Sequence, residues 1–202
     1  IGDADECLSI LRSYTKGFPK SPDGHYFSAR VLAQLGRKDE ARRALEQCAE
    51  LAADFWPAAE LLVNDDLLAG RTEAAKARAH TLLEKYQGQT VPLMLDAKVA
   101  VQENDQKRAE ARLQKAIELA PNEPQAYLFL TRVYLATQQT QQAVATLSAA
   151  AEKKNYDVLM MNSPIDTHFI HHLEMKLEKT SLKRVDADVL DKFRVQFLGR
   201  RA

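Results

Sequence analysis

In a chain of 202 residues, 28 Lys and Arg stand against 28 Asp and Glu, so the formal charge at pH 7 is zero with histidine neutral. That balance excludes a sequence-independent grip on nucleic acid, an anionic membrane or an acidic polymer, each of which needs a surplus of cations. Apolar residues make up 46% of the chain, ordinary for a folded protein. The length allows one or two domains, and no stretch reads as a secretion leader or a transmembrane span.

In chain order, residues 3–16 read as one amphipathic helix that carries Cys7 and Leu11. Ser21-Pro22 reads as a cap followed by proline at the first helical position. Helices are expected near 23–35 and 39–52, then near 57–69 and 73–86 with Thr72 as a cap. Trp56 and Pro57 mark the junction between these pairs, with Trp56 expected to pack between them. Further helices are expected near 90–103 and 107–119, and two more within 121–155. The pattern changes after Asn155. Residues 156–164 read as a loop, Ser163-Pro164 as a helix start, and Ile165, Phe169, Leu173 and Leu177 fall on one helical face. A last helix near 185–198 puts Val189, Leu190, Phe193 and Phe197 on one side.

The helices repeat. Ala41, Ala75, Ala109 and Ala143 are spaced by 34 residues. Twelve residues before each stand Ala29, Val63, Ala97 and Thr131, all small or β-branched. Four after stand Leu45, Ala79, Leu113 and Leu147; seven after, Cys48, Leu82, Ala116 and Ala150. Between the helices of each pair come Gly36, Gly70, Asn104 and Gln138. Gly and Asn accept the left-handed conformation that ends a helix, and Gln138 departs from that preference.

Those columns resemble the tetratricopeptide repeat family of 34-residue helix–turn–helix units. The closest unit matches at Tyr127, Leu130, Tyr134, Ala143, Leu147 and Ala150, and the one before it at Ala97, Ala109, Leu113, Ala116 and Pro121. His25 and Ala59 stand where a large aromatic is usual, and Ser28, Asp66 and Asp96 where an apolar residue is. The resemblance covers roughly residues 3–155. It implies an all-α, right-handed superhelical solenoid with C-terminal capping helices. Residues 1–155 would be the array: the second half of one repeat, then four repeats starting near 22, 56, 90 and 124. Residues 156–202 would supply a loop and helices that cap the open end or dock a further domain. Because the register opens in mid-repeat, the chain is expected to be an excerpt of a longer protein.

In this family the first helix of each unit lines the concave face. The column that would project there reads Arg30, Asn64, Lys98 and Arg132, polar throughout and basic in three of four. The columns three and four residues earlier read Phe27, Leu61, Leu95, Phe129 and Tyr26, Glu60, Met94, Leu128. A basic line beside an apolar strip would suit a peptide or helix carrying spaced apolar side chains and some carboxylates; the alternative is core beside a solvated face. Members that clamp the acidic tail of a chaperone need lysine where Tyr26, Glu60 and Met94 stand, so that role is excluded.

Other chemistry is weakly signalled. His168 and His172 are four apart with Asp166 and His171 nearby, but zinc needs further ligands and no His-Glu-x-x-His stands here. The reading is therefore cap histidines, with no metal and no cofactor. Cys7 and Cys48 lack disulfide or metal spacing and read as packed thiols. No phosphate loop, nucleophile elbow or Cys-x-x-Cys pair occurs. The function expected is a non-catalytic scaffold within a larger assembly, holding a protein or peptide and no nucleic acid, without inserting in a membrane itself. The alternative is the recruiting segment of a larger enzyme. Alanine and glutamine usage points to a bacterial protein of cytoplasm or periplasm.

Overall fold

The computed structural model describes residues 2–152, and side chains over 4–150. The histidine group, the loop at 156–164 and the capping helices expected at 158–198 lie outside the described residues. Every described element is helical: α1 (Gly2–Gly17), α2 (Asp23–Gln34), α3 (Lys38–Leu51), α4 (Trp56–Leu68), α5 (Thr72–Lys85), α6 (Thr90–Gln102), α7 (Gln106–Leu119), α8 (Pro124–Ala136) and α9 (Thr140–Glu152). The chain divides into two compact units, Ile1–Asp105 and Gln106–Ala202.

The 34-residue period is written in the backbone hydrogen bonds. Inside each helix pair the amides of Arg37, Arg71, Asp105 and Gln139 donate to the carbonyls of Leu32, Asp66, Ala100 and Tyr134, five residues back. This closes each first helix with a Schellman turn. The residue before each of those amides has positive φ: Gly36 74°, Gly70 72°, Asn104 59° and Gln138 62°. Gln138 thus adopts the left-handed conformation that its residue type disfavours. A second turn recurs in the same rhythm. Ser21, Phe55, Gln89 and Glu123 donate to Phe18, Ala52, Tyr86 and Ala120.

Two expected caps are absent. No side-chain cap bond is made at α2 or α5. Ser21 instead donates to Asp23 Oδ2 at 2.7 Å, and helix α2 begins at Asp23, one residue after Pro22. Thr72 is the first helical residue and Arg71 the N-cap, because the Schellman turn places the helix entry one residue earlier.

All sixteen residues of the four small and apolar columns are buried. In the first unit they form two clusters. One joins Leu8, Ala29, Leu32, Ala41, Ala44, Leu45, Cys48, Ala58 and Leu62. The other joins Ala59, Val63, Ala75, Ala79, Leu82, Leu95 and Val99. Small residues at the crossings let helices approach to about 8–10 Å. Trp56 meets Tyr86 edge to face at 5.2 Å and packs on the second cluster. In the second unit α8 packs against both α7 and α9, with Ala109, Leu113, Ala116, Ala126, Leu130 and Ala143 buried. Tyr127 donates to the carbonyl of Pro121 at 3.1 Å.

Candidate protein-interaction surface

In the first unit the candidate groove residues fall on α2, α4 and α6, and they do not form the continuous strip and line expected. Phe27 and Leu61 are open to solvent, 47% and 38% exposed. Leu95, in the same column, is 1% exposed and belongs to the second core cluster. Helix α6 lies against both α5 and α4, which turns Leu95 toward Val63 and Leu82 rather than outward. Met94 is half-buried. Tyr26 is also half-buried, its ring 5.4 Å from Phe27 and 5.2 Å from Phe55.

The basic line is interrupted as well. Lys98 Nζ donates to Glu60 Oε1 at 2.6 Å and to Asn64 Oδ1 at 3.1 Å. Three of the columns' polar residues thus form one ion-paired cluster between α4 and α6, and the charge of Lys98 is already matched. Glu60 precedes Lys98 by 38 residues, one repeat plus about one helical turn, and the packing of α6 on α4 brings the two together. Arg30 is exposed and stands 5.9 Å from the centre of the Tyr26 ring, within cation–π range. In the first unit, then, Phe27, Arg30 and Leu61 are the accessible members of these columns, while Glu60, Asn64 and Lys98 are paired with one another.

The second unit contributes three of the candidates, all on α8. Leu128 is buried, Phe129 half-buried and Arg132 exposed. Leu128 joins the α8 core because nine of that helix's thirteen residues are buried.

A second charged cluster lies away from these columns, and the sequence showed only its centre, Asp66 at a usually apolar position. Asp66 is fully buried. Arg42 and Arg71 contact its Oδ1 at 2.8 and 2.9 Å, and Arg78 stands 3.6 Å from its Oδ2. Arg42 and Arg71 also hold Asp65, and Arg42 reaches Glu46 at 3.1 Å. Three guanidinium groups therefore meet three carboxylates. Burial pushes the Asp66 carboxyl up, but its bonds to Arg71 and Arg42 outweigh that and hold its pKa below the ordinary value. With every charge matched internally, the cluster ties α3, α4 and α5 together rather than offering a site. The Cys48 thiol is buried and free, and burial pushes its pKa up to about 11, which keeps it protonated and inert. Among the described residues no group of His, Cys, Asp and Glu could hold a metal ion, and no helix is long and apolar enough to cross a membrane.

Helix pairs repeated every 34 residues, with small residues at the crossings, define a helical-repeat protein. Two family models, both described as tetratricopeptide repeat, match residues 22–55 and 100–157. The chain is a tetratricopeptide repeat protein. Among solved structures it is similar to a thermophilic tetratricopeptide repeat protein of Thermus thermophilus, with TM-score 0.64 and 18% identity over 87% of this chain and 91% of that one. It is also similar to PilF of Pseudomonas aeruginosa, with TM-score 0.61 and 15% identity over 98% of this chain and 86% of that one. At these identities the likeness is one of fold. A 42-residue stretch is 48% identical to chaperone protein HtpG of Bacteroides fragilis, covering 21% of this chain. The chain thus spans 6% of the length of the curated relatives it matches. The repeats make it a protein-interaction scaffold, of a fold that is generally non-catalytic.

Proposed function

We propose that residues 1–155 hold an extended peptide or a helix of a protein partner on the first-helix face, as part of a larger assembly. The observation that carries this reading is the exposure of Phe27 and Leu61, with Arg30 exposed one helical turn from Phe27 on α2. Two large apolar side chains left in water, one of them a turn away from a cation, fit a ligand with apolar anchors and a carboxylate. Arg132 beside Phe129 repeats that chemistry on α8. The pairing of Lys98 with Glu60 narrows the ligand: its carboxylate seats by Arg30, and an uncharged or basic group faces Glu60.

Peptides selected from a displayed library against the whole chain test this. The selected set should combine apolar residues with Asp or Glu. Arg30→Glu should weaken their binding about tenfold or more, since a charge-assisted contact becomes a repulsion. Glu60→Gln releases Lys98 and should tighten binding of the acidic members. Undiminished binding to the Arg30→Glu protein rejects the site.

The likeness to part of HtpG favours a second setting, in which the chain works within a chaperone system. Titration of the chain into HtpG of Bacteroides fragilis by calorimetry tests it, and absence of heat at micromolar concentration rejects direct association.

A further inference from the structure

Arg42, Lys76 and Glu110 stand 34 residues apart, each the fifth residue of a second helix, α3, α5 and α7. Each reaches out of its own repeat to the far end of the next first helix. Arg42 holds Asp66 at 2.8 Å and also Asp65, both on α4. Lys76 holds Glu103, the residue that closes α6, at 2.8 Å. Glu110 accepts from Gln139 Nε2 at 3.2 Å, just past the turn that closes α8. Helices α3 and α4, α5 and α6, and α7 and α8 pack on each other across short turns, which sets each pair antiparallel. The amides of Phe55, Gln89 and Glu123 tighten the turn at one end of each pair. The side chain at this column ties the other, free end, roughly 14 Å along the second helix from its last residue at about 1.5 Å per residue.

The ties differ in kind. Asp66 is fully buried and Arg71 grips the same oxygen as Arg42, so bulk ions cannot screen that contact. Lys76 and Glu103 are 45% and 20% exposed in their side chains, and Lys98 and Glu60, which cross from α6 to α4, are 24% and 52% exposed. Water-facing pairs are weak, and salt screens charges over about 10 Å at 0.1 M but about 3 Å at 1 M. Two salt-sensitive ties thus join α6 to the repeat before it, around a core where Leu95 and Val99 pack with Val63 and Leu82. Apolar burial is not screened, so that core persists.

We propose that the α5–α6 junction is a hinge whose opening is controlled by ionic strength. Lys76 and Glu103 close its free end, salt releases them, and α6 swings about the Leu95 and Val99 core. The α3–α4 junction stays shut, because releasing Arg42 would leave the buried Asp66 carboxylate short of a cation. Lys98 and Glu60 face each other across the opening junction, so the swing parts them and changes the charge that the first helices present. The hinge follows from these contacts alone and does not depend on which ligand the first helices take.

Nitroxide pairs read by double electron–electron resonance test it on the whole chain. Cys7→Ala confines the labels to introduced cysteines, Cys48 being buried. Ala77→Cys with Gln102→Cys spans the free end of α5–α6, and Arg43→Cys with Leu68→Cys, one period earlier, spans that of α3–α4; all four positions are exposed. Between about 0.05 M and about 1 M sodium chloride, the long-distance population of the α5–α6 pair should rise about two- to fivefold, the factor a water-facing ion pair is worth. Lys76→Gln should give the same rise in dilute salt, and the exchanged pair Lys76→Glu with Glu103→Lys should reverse it. The α3–α4 distribution should stay as it is. An α5–α6 distribution indifferent to salt overturns the hinge, as does Lys76→Gln without effect in dilute salt, or a rise that both junctions share. A rise accompanied by loss of helical circular dichroism is melting rather than swinging and overturns it too.

Discussion

At the scale of single residues, the buried carboxylate of Asp66 is the least replaceable group in the first unit. Arg42 and Arg71 hold it within hydrogen-bond distance and Arg78 stands just beyond. Removing one partner of a buried ion pair leaves the others desolvated and unmatched, which costs about 3–5 kcal/mol. Asp66→Asn should lower the melting temperature by about 6–20 °C, at some 2–4 °C per kcal/mol for a chain of this size. The carboxyl also sets a pH dependence. Its folded pKa lies below the unfolded value, near 3.8. The stabilisation is therefore complete above about pH 4 and is lost as pH falls through the lowered folded value. Thermal melts from pH 3 to 7 should show an acid limb that is shallower in Asp66→Asn; identical limbs would show that the cluster contributes nothing. The sequence marked Asp66 as out of place for its column. It did not show which cations would satisfy it, because Arg42 and Arg78 come from two different helices and only the packing of α3 and α5 around α4 brings them together.

At the scale of elements, the turns that close the first helices divide into two chemistries. Gly70 has φ 72°, and a Cβ there would meet nothing within 4 Å. Gly70→Ala therefore suffers only the left-handed backbone penalty and should destabilise by about 1–2 kcal/mol. Gln138 already bears that penalty at φ 62°, so Gln138→Gly should raise stability by up to about 1 kcal/mol. Chemical denaturation reads both, and equal effects at the two turns would contradict the conformational explanation. The helices that these turns join depend on small residues. Ala109 is fully buried, and Ala109→Leu should overpack the site and cost about 1–3 kcal/mol, visible as a lower urea midpoint. An unchanged midpoint would mean that the site has room to spare. Helix positions were legible to within a residue or two because the apolar period and the turn glycines both mark them. The caps expected at Ser21 and Thr72 were not, since capping depends on how the chain enters the helix, and the Schellman turn fixes that entry at Arg71.

At the scale of the whole molecule, the charge balance and the repeat together point to a holder of other proteins, and the surface proposed to hold them can be tested apart from the fold. Arg30 and Arg132 are both exposed, so the double variant Arg30→Glu, Arg132→Glu should keep the parent helicity and melt within about 4 °C of it, each surface change costing under about 0.5 kcal/mol. Its binding of selected acidic peptides should fall at the same time. A melt shifted by more than that would place one of the two side chains in the fold rather than at the face. The sequence by itself determined the helices, their 34-residue period, the buried columns and the family, because each follows from spacing along one chain. Only the tertiary structure decided that Leu95 and Leu128 are core while Phe27 and Leu61 stay open. It likewise decided that Lys98 is matched by Glu60. Residues in one column share a position in the repeat, but their exposure and charge state are set by which neighbouring helix lies over them, and that is a property of packing.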